Sequence, residues 1–117
     1  MNSKLSEHFS VNEFKCRHCG KVINIDPLLI AKLECLRASI GNKPILINSG
    51  YRCETHNKNV GGAKNSYHMK GKAVDIRING DMKELAKMAD RIFYKGGVGI
   101  YKTFIHVDVG PSRRWFG

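Results

Sequence analysis

The spacing of apolar residues predicts two amphipathic helices. The first begins at Asp26-Pro27, which suit an N-cap and a first helical position, and ends at Gly41. Its apolar residues recur three or four positions apart, at Leu29, Leu33, Leu36 and Ile40. The second begins at Asp81 and ends before Gly96, with an apolar face formed by Leu85, Met88, Ala89 and Ile92. A shorter helical turn is indicated by the capping-box pattern from Ser10 to Glu13.

Short apolar runs predict four strands, at residues 45–47, 72–78, 98–101 and 104–109. The last two runs are separated by Lys102-Thr103, a length typical of a hairpin. The polar, glycine-containing stretch 48–71 is predicted as a long loop, and the tail from 110 to 117 shows no clear element. The pattern therefore predicts an α+β fold, in which helices flank a small, mainly antiparallel sheet.

Length and composition favour a single domain spanning residues 1–117. Lys and Arg outnumber Asp and Glu by 20 to 10, a balance that suits nucleic acid, anionic membranes or the anionic polymers of a bacterial wall. The basic residues are dispersed and no aromatic stripe accompanies them, so nucleic acid is not favoured. No apolar run approaches the ~20 residues of a membrane span, and MNSKLSEHFS lacks the apolar segment of a secretory signal.

His68, Asp75 and His106 are candidate metal ligands. His68 lies in the long loop, Asp75 on the strand after it, and His106 on the last predicted strand. Imidazole and carboxylate both bind zinc, and two histidines with one carboxylate leave a fourth position for water. On a strand, His106 and Asp108 share a face. Spacing alone leaves open that these histidines are ordinary structural residues.

Three motifs in this order resemble the zinc D-alanyl-D-alanine peptidase family, which shares its fold with the hedgehog N-terminal domain and with murein endopeptidases. They are Ser-Gly-Tyr-Arg at 49–52, the pattern S-x-H-x-x-G-x-A-x-D at 66–75, and Phe-Ile-His-Val-Asp at 104–108. The resemblance runs from about residue 9 to residue 115. It implies a zinc peptidase that cuts D-amino-acid bonds in the stem peptides of bacterial peptidoglycan, with His68, Asp75 and His106 as zinc ligands.

The resemblance also implies roles for residues around the metal. Arg52 is expected to pair with a substrate carboxylate or the developing oxyanion, the alternative being a surface ion pair. Ser66 is expected to hydrogen-bond substrate, or else to cap its own turn. The best-known members carry Glu or Asp three residues before the last histidine, whereas this chain has Thr103, which cannot act as a base. We therefore predict Asp108 as the general base, with the alternative that it only orients a metal ligand.

Two short motifs suggest a second metal site. They are Cys-x-x-Cys at Cys16 and Cys19, and Cys-x-x-His at Cys53 and His56. Three thiolates and one imidazole make a closed tetrahedral site, so we predict a structural zinc ion that joins the N-terminal loop to the long loop. A Cys16–Cys19 redox pair, a disulfide to Cys53, and His18 as the fourth ligand remain alternatives. Cys35 is predicted as a core thiol of the first helix.

The leading hypothesis is thus a monomeric peptidoglycan peptidase with one catalytic and one structural zinc ion. Its basic charge would hold it near an anionic wall. Without a signal segment, it fits a phage or prophage lysis enzyme (an endolysin) or a cytoplasmic enzyme that recycles wall fragments. Alternatives are a zinc-stapled nucleic-acid-binding module, which would leave His68, Asp75 and His106 unexplained, and a hedgehog-like metal domain without turnover. The sequence does not distinguish carboxypeptidase from endopeptidase.

Overall fold

A computed structural model describes residues 3–117; Met1 and Asn2, the first residues of the segment considered for a secretory signal, lie outside the described residues. The helices are α1 (Pro27–Ser39), α2 (Glu54–Asn59) and α3 (Met82–Ile92), and the strands are β1 (Leu46–Ser49), β2 (Ala73–Arg77), β3 (Gly97–Ile100), β4 (Ile105–Asp108) and β5 (Arg113–Phe116). Two 3₁₀ turns lie at Val11–Phe14 and Tyr67–Lys70. Among the described residues, no helix has the length and apolar character needed to cross a membrane.

The five strands form one sheet in the order β1-β2-β4-β3-β5. All neighbours are antiparallel except β3 and β5, which run parallel. In the β2–β4 ladder Asp75 lies directly opposite His106. This arrangement confirms the predicted α+β class with a mainly antiparallel sheet.

The two faces of the sheet differ in character because side chains alternate along each strand. Val74 and Ile76 of β2, with Ile105 and Val107 of β4, are buried in the apolar core. The same core contains Leu29, Leu33 and Leu36 of α1 and Leu85 and Ala89 of α3. Asp75, His106 and Asp108 alternate with those core residues, so the polar cluster lies on the opposite face from the two long helices.

Both long helices begin where the sequence predicts. The Asp26 carboxylate accepts a hydrogen bond from the Leu28 amide at 2.9 Å, and Asp81 caps α3 in the same way through the amides of Lys83 and Glu84. Such caps satisfy amides that have no partner inside the helix. Cys35, by contrast, is exposed on α1, so its prediction as a core thiol was wrong.

Two segments without a predicted element are ordered in the structure. The tail forms β5, whose partner β3 is distant in sequence. The stretch 48–71 contains α2 and the second 3₁₀ turn. Gly71 ends that turn with φ of 69°, and a Cβ there would collide with the carbonyl of Asn24. Glycine therefore allows both the left-handed conformation and the close approach that bring the chain back into β2.

Candidate metal centre

Nitrogen and oxygen atoms of His68, Asp75 and His106 converge on one point. His68 Nε2 lies 3.2 Å from Asp75 Oδ1 and 3.2 Å from His106 Nδ1, and the last two atoms are 3.0 Å apart. The edges of a tetrahedron of such atoms around zinc measure ~3.3 Å. The β2–β4 register and the 3₁₀ turn at Tyr67–Lys70 thus bring together the three ligands predicted from sequence.

The outer nitrogen of each imidazole has an acceptor of its own, which fixes the tautomer. His68 Nδ1 lies 2.8 Å from the Gly50 carbonyl oxygen, and His106 Nε2 lies 2.7 Å from Asp108 Oδ2. Each of these nitrogens therefore carries the proton, which leaves His68 Nε2 and His106 Nδ1 as lone-pair donors. Three lone-pair atoms, including Asp75 Oδ1, then face each other without a proton between them, an arrangement that a cation satisfies.

Contacts within the cluster shift the pKa values of Asp75 and His106, and both shifts indicate a site that stabilises positive charge. Burial opposes ionisation of Asp75, but its close contacts with the rings of His106 and His68 outweigh it and hold the pKa of the carboxyl well below its usual range. Burial also opposes protonation of His106, yet its contacts with Asp108 and Asp75 raise its pKa. Asp75 is therefore ionised near neutral pH, and positive charge is stabilised beside it.

Asp108 lies behind His106 and away from the three converging atoms. Its side chain is fully buried. Oδ1 accepts hydrogen bonds from the Gly97 and Gly110 amides at 3.0 and 2.9 Å, while Oδ2 contacts His106 Nε2 and Arg113 Nη2, the latter at 2.8 Å. Burial raises its pKa, but the His106 contact, the Gly110 amide and the Arg113 charge lower it overall. These contacts favour the alternative in which Asp108 orients a ligand, since both oxygens already have partners.

Arg52 contacts the cluster through Asp75. Its Nη2 donates to Asp75 Oδ2 at 2.9 Å, Nε donates to Ser49 Oγ at 3.1 Å, and Nη1 lies 3.4 Å from Asn57 Oδ1. The ion pair is almost buried, with 13% and 7% of the Arg52 and Asp75 side chains exposed, so it is not a surface pair. It turns Asp75 so that Oδ1 faces the histidines.

Ser66 caps the 3₁₀ turn that carries His68, because its Oγ accepts a hydrogen bond from the His68 amide at 3.2 Å. Its buried side chain also borders a cavity of about 330 Å³ beside the cluster. Thr103 lies exposed in the turn between β3 and β4.

The walls of this cavity include three aromatic residues, of which Trp115 was assigned to no motif in the sequence. Trp115 of β5 lies with its ring 5.1 Å from the His106 ring and donates a hydrogen bond to the Tyr101 hydroxyl at 2.8 Å. Tyr101 stacks on Phe104 at 4.5 Å. The cavity is further lined by Arg52, Ser66, His68, Asp75, His106 and the segment 60–63. Trp115 and Phe116 are residue types enriched in strands, and this composition was the signal that could have suggested β5.

Three of the four residues predicted for the second site also meet. The sulfur atoms of Cys16, Cys19 and Cys53 lie within 4.8 Å of one another. Burial disfavours the Cys16 thiolate, but hydrogen bonds from the amides of Cys53, Cys19 and His18 lower its pKa to about 6. The ring of His56 instead stacks beside that of His18, at 6.4 Å between centroids.

Comparison with known proteins identifies a family and several relatives of this chain. The sequence model of the peptidase M15 family matches residues 7–108. A probable peptidoglycan L,D-endopeptidase MepK from Haemophilus influenzae is 40% identical over 110 residues, which cover 86% of this chain and 59% of that protein. Peptidoglycan L,D-endopeptidase MepK from Escherichia coli K12 is 38% identical over 110 residues, covering 87% of this chain and 60% of that protein.

A third relative matches a shorter stretch. The zinc D-Ala-D-Ala carboxypeptidase of Streptomyces albus G is 53% identical over 45 residues, which are 38% of this chain and 18% of that protein. The chain spans about 60% of the length of the two MepK proteins.

Proposed function

The chain belongs to the peptidase M15 family, and from that membership we propose that it is a zinc-dependent peptidase acting on the stem peptides of bacterial peptidoglycan. The observation that carries the proposal is the convergence of three lone-pair atoms from His68, Asp75 and His106, within 3.2 Å of one another, at the edge of a cavity. Two imidazoles and one carboxylate form the donor set of a zinc site that keeps a coordination position open. Bound there, zinc would supply Lewis-acid chemistry, that is, polarisation of a carbonyl and activation of water near neutral pH.

Arg52 and Ser66 are the residues we propose for substrate binding. A guanidinium group has five N–H donors. The bonds to Ser49, Asn57 and Asp75 occupy three of them. Arg52 also lines the cavity, so we propose that its two remaining donors bind a substrate carboxylate or the developing oxyanion. The Ser66 hydroxyl accepts from the His68 amide, so its own proton remains available for a substrate carbonyl.

Asp108 is proposed as a positioning residue rather than the general base. It fixes the proton on His106 Nε2 and thereby keeps Nδ1 free to bind metal. Arg113 and the Gly97 and Gly110 amides hold the carboxylate in place and stabilise its charge. The base hypothesis remains a prediction that a variant at this position can test.

Endopeptidase activity is the form of the reaction that the relatives favour. The MepK relatives from Haemophilus influenzae and Escherichia coli K12 match most of this chain and are named probable peptidoglycan L,D-endopeptidase and peptidoglycan L,D-endopeptidase, whereas the carboxypeptidase matches only 38% of it. We therefore propose cleavage of an internal bond between an L- and a D-configured residue. The proposal also includes a second zinc ion at the cysteine cluster, so the chain would bind about two ions in total.

Digestion of purified muropeptides tests this proposal. The zinc-loaded chain is incubated with cross-linked muropeptides and, separately, with peptides that end in D-Ala-D-Ala, and products are identified by mass spectrometry. We expect cleavage of the cross-linked substrates, its loss after chelation, and its recovery when zinc is added back. His68→Ala should lose one zinc ion together with all turnover.

His8→Ala provides the matched control, because His8 contacts Glu34 of α1 and does not border the cavity. It should retain both the metal content and the activity. Full zinc loading without hydrolysis of any muropeptide would overturn the peptidase proposal in favour of a metal domain without turnover. Release of a terminal D-alanine without cleavage of cross-links would overturn only the endopeptidase assignment.

A further inference from the structure

The cysteine cluster lies next to the segment that supports the His68–Asp75–His106 site. From its geometry we propose that Cys16, Cys19, Cys53 and His18 bind a structural zinc ion, and that this ion fixes residues 49–53 and thereby positions the catalytic ligands. The metal-binding part names the ligands of the second zinc ion in the proposed function and does not depend on peptidase activity. The positioning part rests on it.

Two separations within the cluster match the edges of a zinc–thiolate tetrahedron. Sulfur atoms bound to one zinc ion are separated by ~3.8 Å, and a sulfur and an imidazole nitrogen by ~3.6 Å. Cys16 Sγ lies 3.6 Å from Cys53 Sγ, and Cys53 Sγ lies 3.8 Å from His18 Nδ1. A disulfide would require ~2.05 Å between the sulfur atoms. The Cys16–Cys53 separation therefore fits two thiolates bound to one ion and not a disulfide.

Backbone amides point at the sulfur atoms as they do at thiolates. The Cys53 amide donates to Cys16 Sγ at 3.4 Å, and the His56 amide donates to Cys53 Sγ at 3.4 Å. The turn from Cys16 to Lys21 is closed by two backbone hydrogen bonds, which hold Cys19 on the same side as Cys16. Backbone hydrogen bonds thus hold three sulfur ligands close together, which lowers the ordering cost of ion binding.

His18 is a better fourth ligand than His56, the residue that the sequence spacing favoured. His18 Nδ1 lies 3.8 Å from Cys53 Sγ. It is not among the atoms that all lie within 4.8 Å of one another, so ion binding would draw its ring closer to the other two sulfur atoms. The His56 contact with the same sulfur is made by its backbone amide, while its ring stacks against the outer side of His18. His18 lies between two ligands along the chain, yet the tight turn at 16–20 lets its side chain face Cys53.

Residues 49–53, which the cluster would anchor, make two contacts with His68 and one with Asp75. The Gly50 carbonyl accepts from His68 Nδ1, the Arg52 amide donates to the His68 carbonyl at 3.2 Å, and the Arg52 side chain pairs with Asp75. Two further contacts hold residues 49–53 in place. The Tyr51 amide donates a hydrogen bond to the Phe14 carbonyl, and Gly50 packs closely on Phe14. A Cβ on Gly50 would lie 2.7 Å from the Phe14 Cα, so the two backbones are in direct contact. Phe14 and Cys16 together therefore link the first 3₁₀ turn to this segment.

Metal content of single variants tests the ligand set. Protein purified under reducing conditions is analysed for zinc by mass spectrometry, and for cobalt–thiolate absorption after exchange into Co²⁺. Cys19→Ser should lose one zinc ion per chain and the cobalt–thiolate bands, and its melting temperature should fall by about 10 °C or more. Cys35→Ser removes an exposed thiol outside the cluster and should change none of these.

Chelator competition distinguishes the two histidines. We expect His18→Ala to weaken retention of the cysteine-site zinc by at least about tenfold, and His56→Ala to leave it unchanged. Weaker zinc retention in His56→Ala, with unchanged retention in His18→Ala, would overturn the assignment of His18. Wild-type zinc content in Cys19→Ser, or quantitative formation of a disulfide by thiol titration of the purified wild type, would overturn the site itself.

The positioning part has a readout that does not depend on turnover. In Cys19→Ser, zinc bound at His68, Asp75 and His106 should dissociate about tenfold more readily than in Cys35→Ser, because Gly50 and Arg52 lose their anchor. Equal zinc affinity in the two variants would overturn the coupling. If His68→Ala leaves all zinc in place while Cys19→Ser removes it, the proposed catalytic site fails and the cysteine site stands.

Discussion

Replacement of Asp108 by asparagine separates the two roles considered for this residue. The variant keeps an oxygen that can accept from the Gly97 and Gly110 amides. On the other side it presents an NH₂ group to His106 Nε2 and to Arg113, where the wild type presents a carboxylate oxygen. Two donors then face each other, so the His106 proton is driven to Nδ1, the atom that faces the other two ligands.

The expected losses of zinc affinity and of unfolding free energy in Asp108→Asn follow from the contacts that the substitution removes. Loss of a partner that orients a metal-binding histidine typically weakens metal binding by about 10- to 100-fold, which corresponds to about 1.4–2.7 kcal/mol. The buried carboxylate also loses a charge-assisted bond to Arg113, whose side chain is 36% exposed and can turn to solvent. We therefore expect a fall of about 2 kcal/mol in the free energy of unfolding of the metal-free chain.

Zinc affinity of Asp108→Asn is measured by competition with a chelator, and hydrolysis of muropeptides is measured at rising zinc concentration. If Asp108 orients His106, affinity falls and part of the turnover returns at saturating zinc. Wild-type zinc affinity with abolished turnover would refute this reasoning and identify Asp108 as the base. Asp90→Asn is the matched control, since Asp90 forms a more exposed ion pair with Arg114, and we expect a change below about 0.5 kcal/mol in unfolding free energy.

Three further outcomes are expected. Trp115→Ala should raise KM for muropeptides more than it lowers kcat, because it removes an aromatic wall beside His106 and leaves the metal ligands in place; an unchanged KM would contradict this. Glu34→Gln should destabilise the fold at pH 7 by about 1 kcal/mol, since burial raises the Glu34 pKa but hydrogen bonds from Ser6 and His8 lower it overall. A carboxyl whose pKa is lowered by folding stabilises the folded state above its unfolded pKa, and this stabilisation is lost as the pH falls. In urea unfolding, the difference in unfolding free energy between wild type and Glu34→Gln should therefore disappear below about pH 4. A difference that persists at pH 3 would exclude this linkage. Leu33→Ala, which truncates a fully buried side chain of α1, should cost about 3 kcal/mol in the same unfolding assay, whereas a cost below about 1 kcal/mol would mean that α1 is not packed as described.

Local signals predicted the elements whose partners are near in sequence. Asp26-Pro27 and Asp81 mark the starts of α1 and α3, and both act through contacts within one helical turn. The β3–β4 pairing needed only a short connection between two apolar runs. The proposed metal ligands His68 and Asp75 could be predicted as a pair because their motif is compact.

The missed elements depend on distant partners or lack an apolar pattern. β5 pairs in parallel with β3, and a four-residue segment after Gly-Pro-Ser carries no local sign of that partner. α2 has the sequence Glu-Thr-His-Asn-Lys-Asn, and its buried residue is the polar Asn57. Helical periodicity is not visible in such a segment because no apolar face is present.

Spacing also could not decide which atoms of a side chain meet. It placed His106 and Asp108 on one face, but only the fold determines that Asp108 contacts Nε2 and leaves Nδ1 to the other ligands. In the cysteine cluster, the spacing of Cys53 and His56 suggested two ligands on adjacent helical positions. The fold instead directs the side chain of His18 toward Cys53, because the turn at 16–20 lies over the start of α2.

The direct register pairing of Asp75 with His106 divides the candidate site into two parts of different stability. These two residues lie on strands with a hydrogen-bonded neighbour on both sides, so their amides should exchange with deuterium only when the whole sheet opens. His68 lies on a short turn, and residues 60–63 of the cavity wall lie in a connection, so their amides should exchange through small local openings. An incoming ion would therefore meet two ligands already held in place and would immobilise the third, and metal binding would slow exchange mainly between α2 and β2. The same division would let insertions in that connection reshape the cavity while the strand-borne ligands keep their separation.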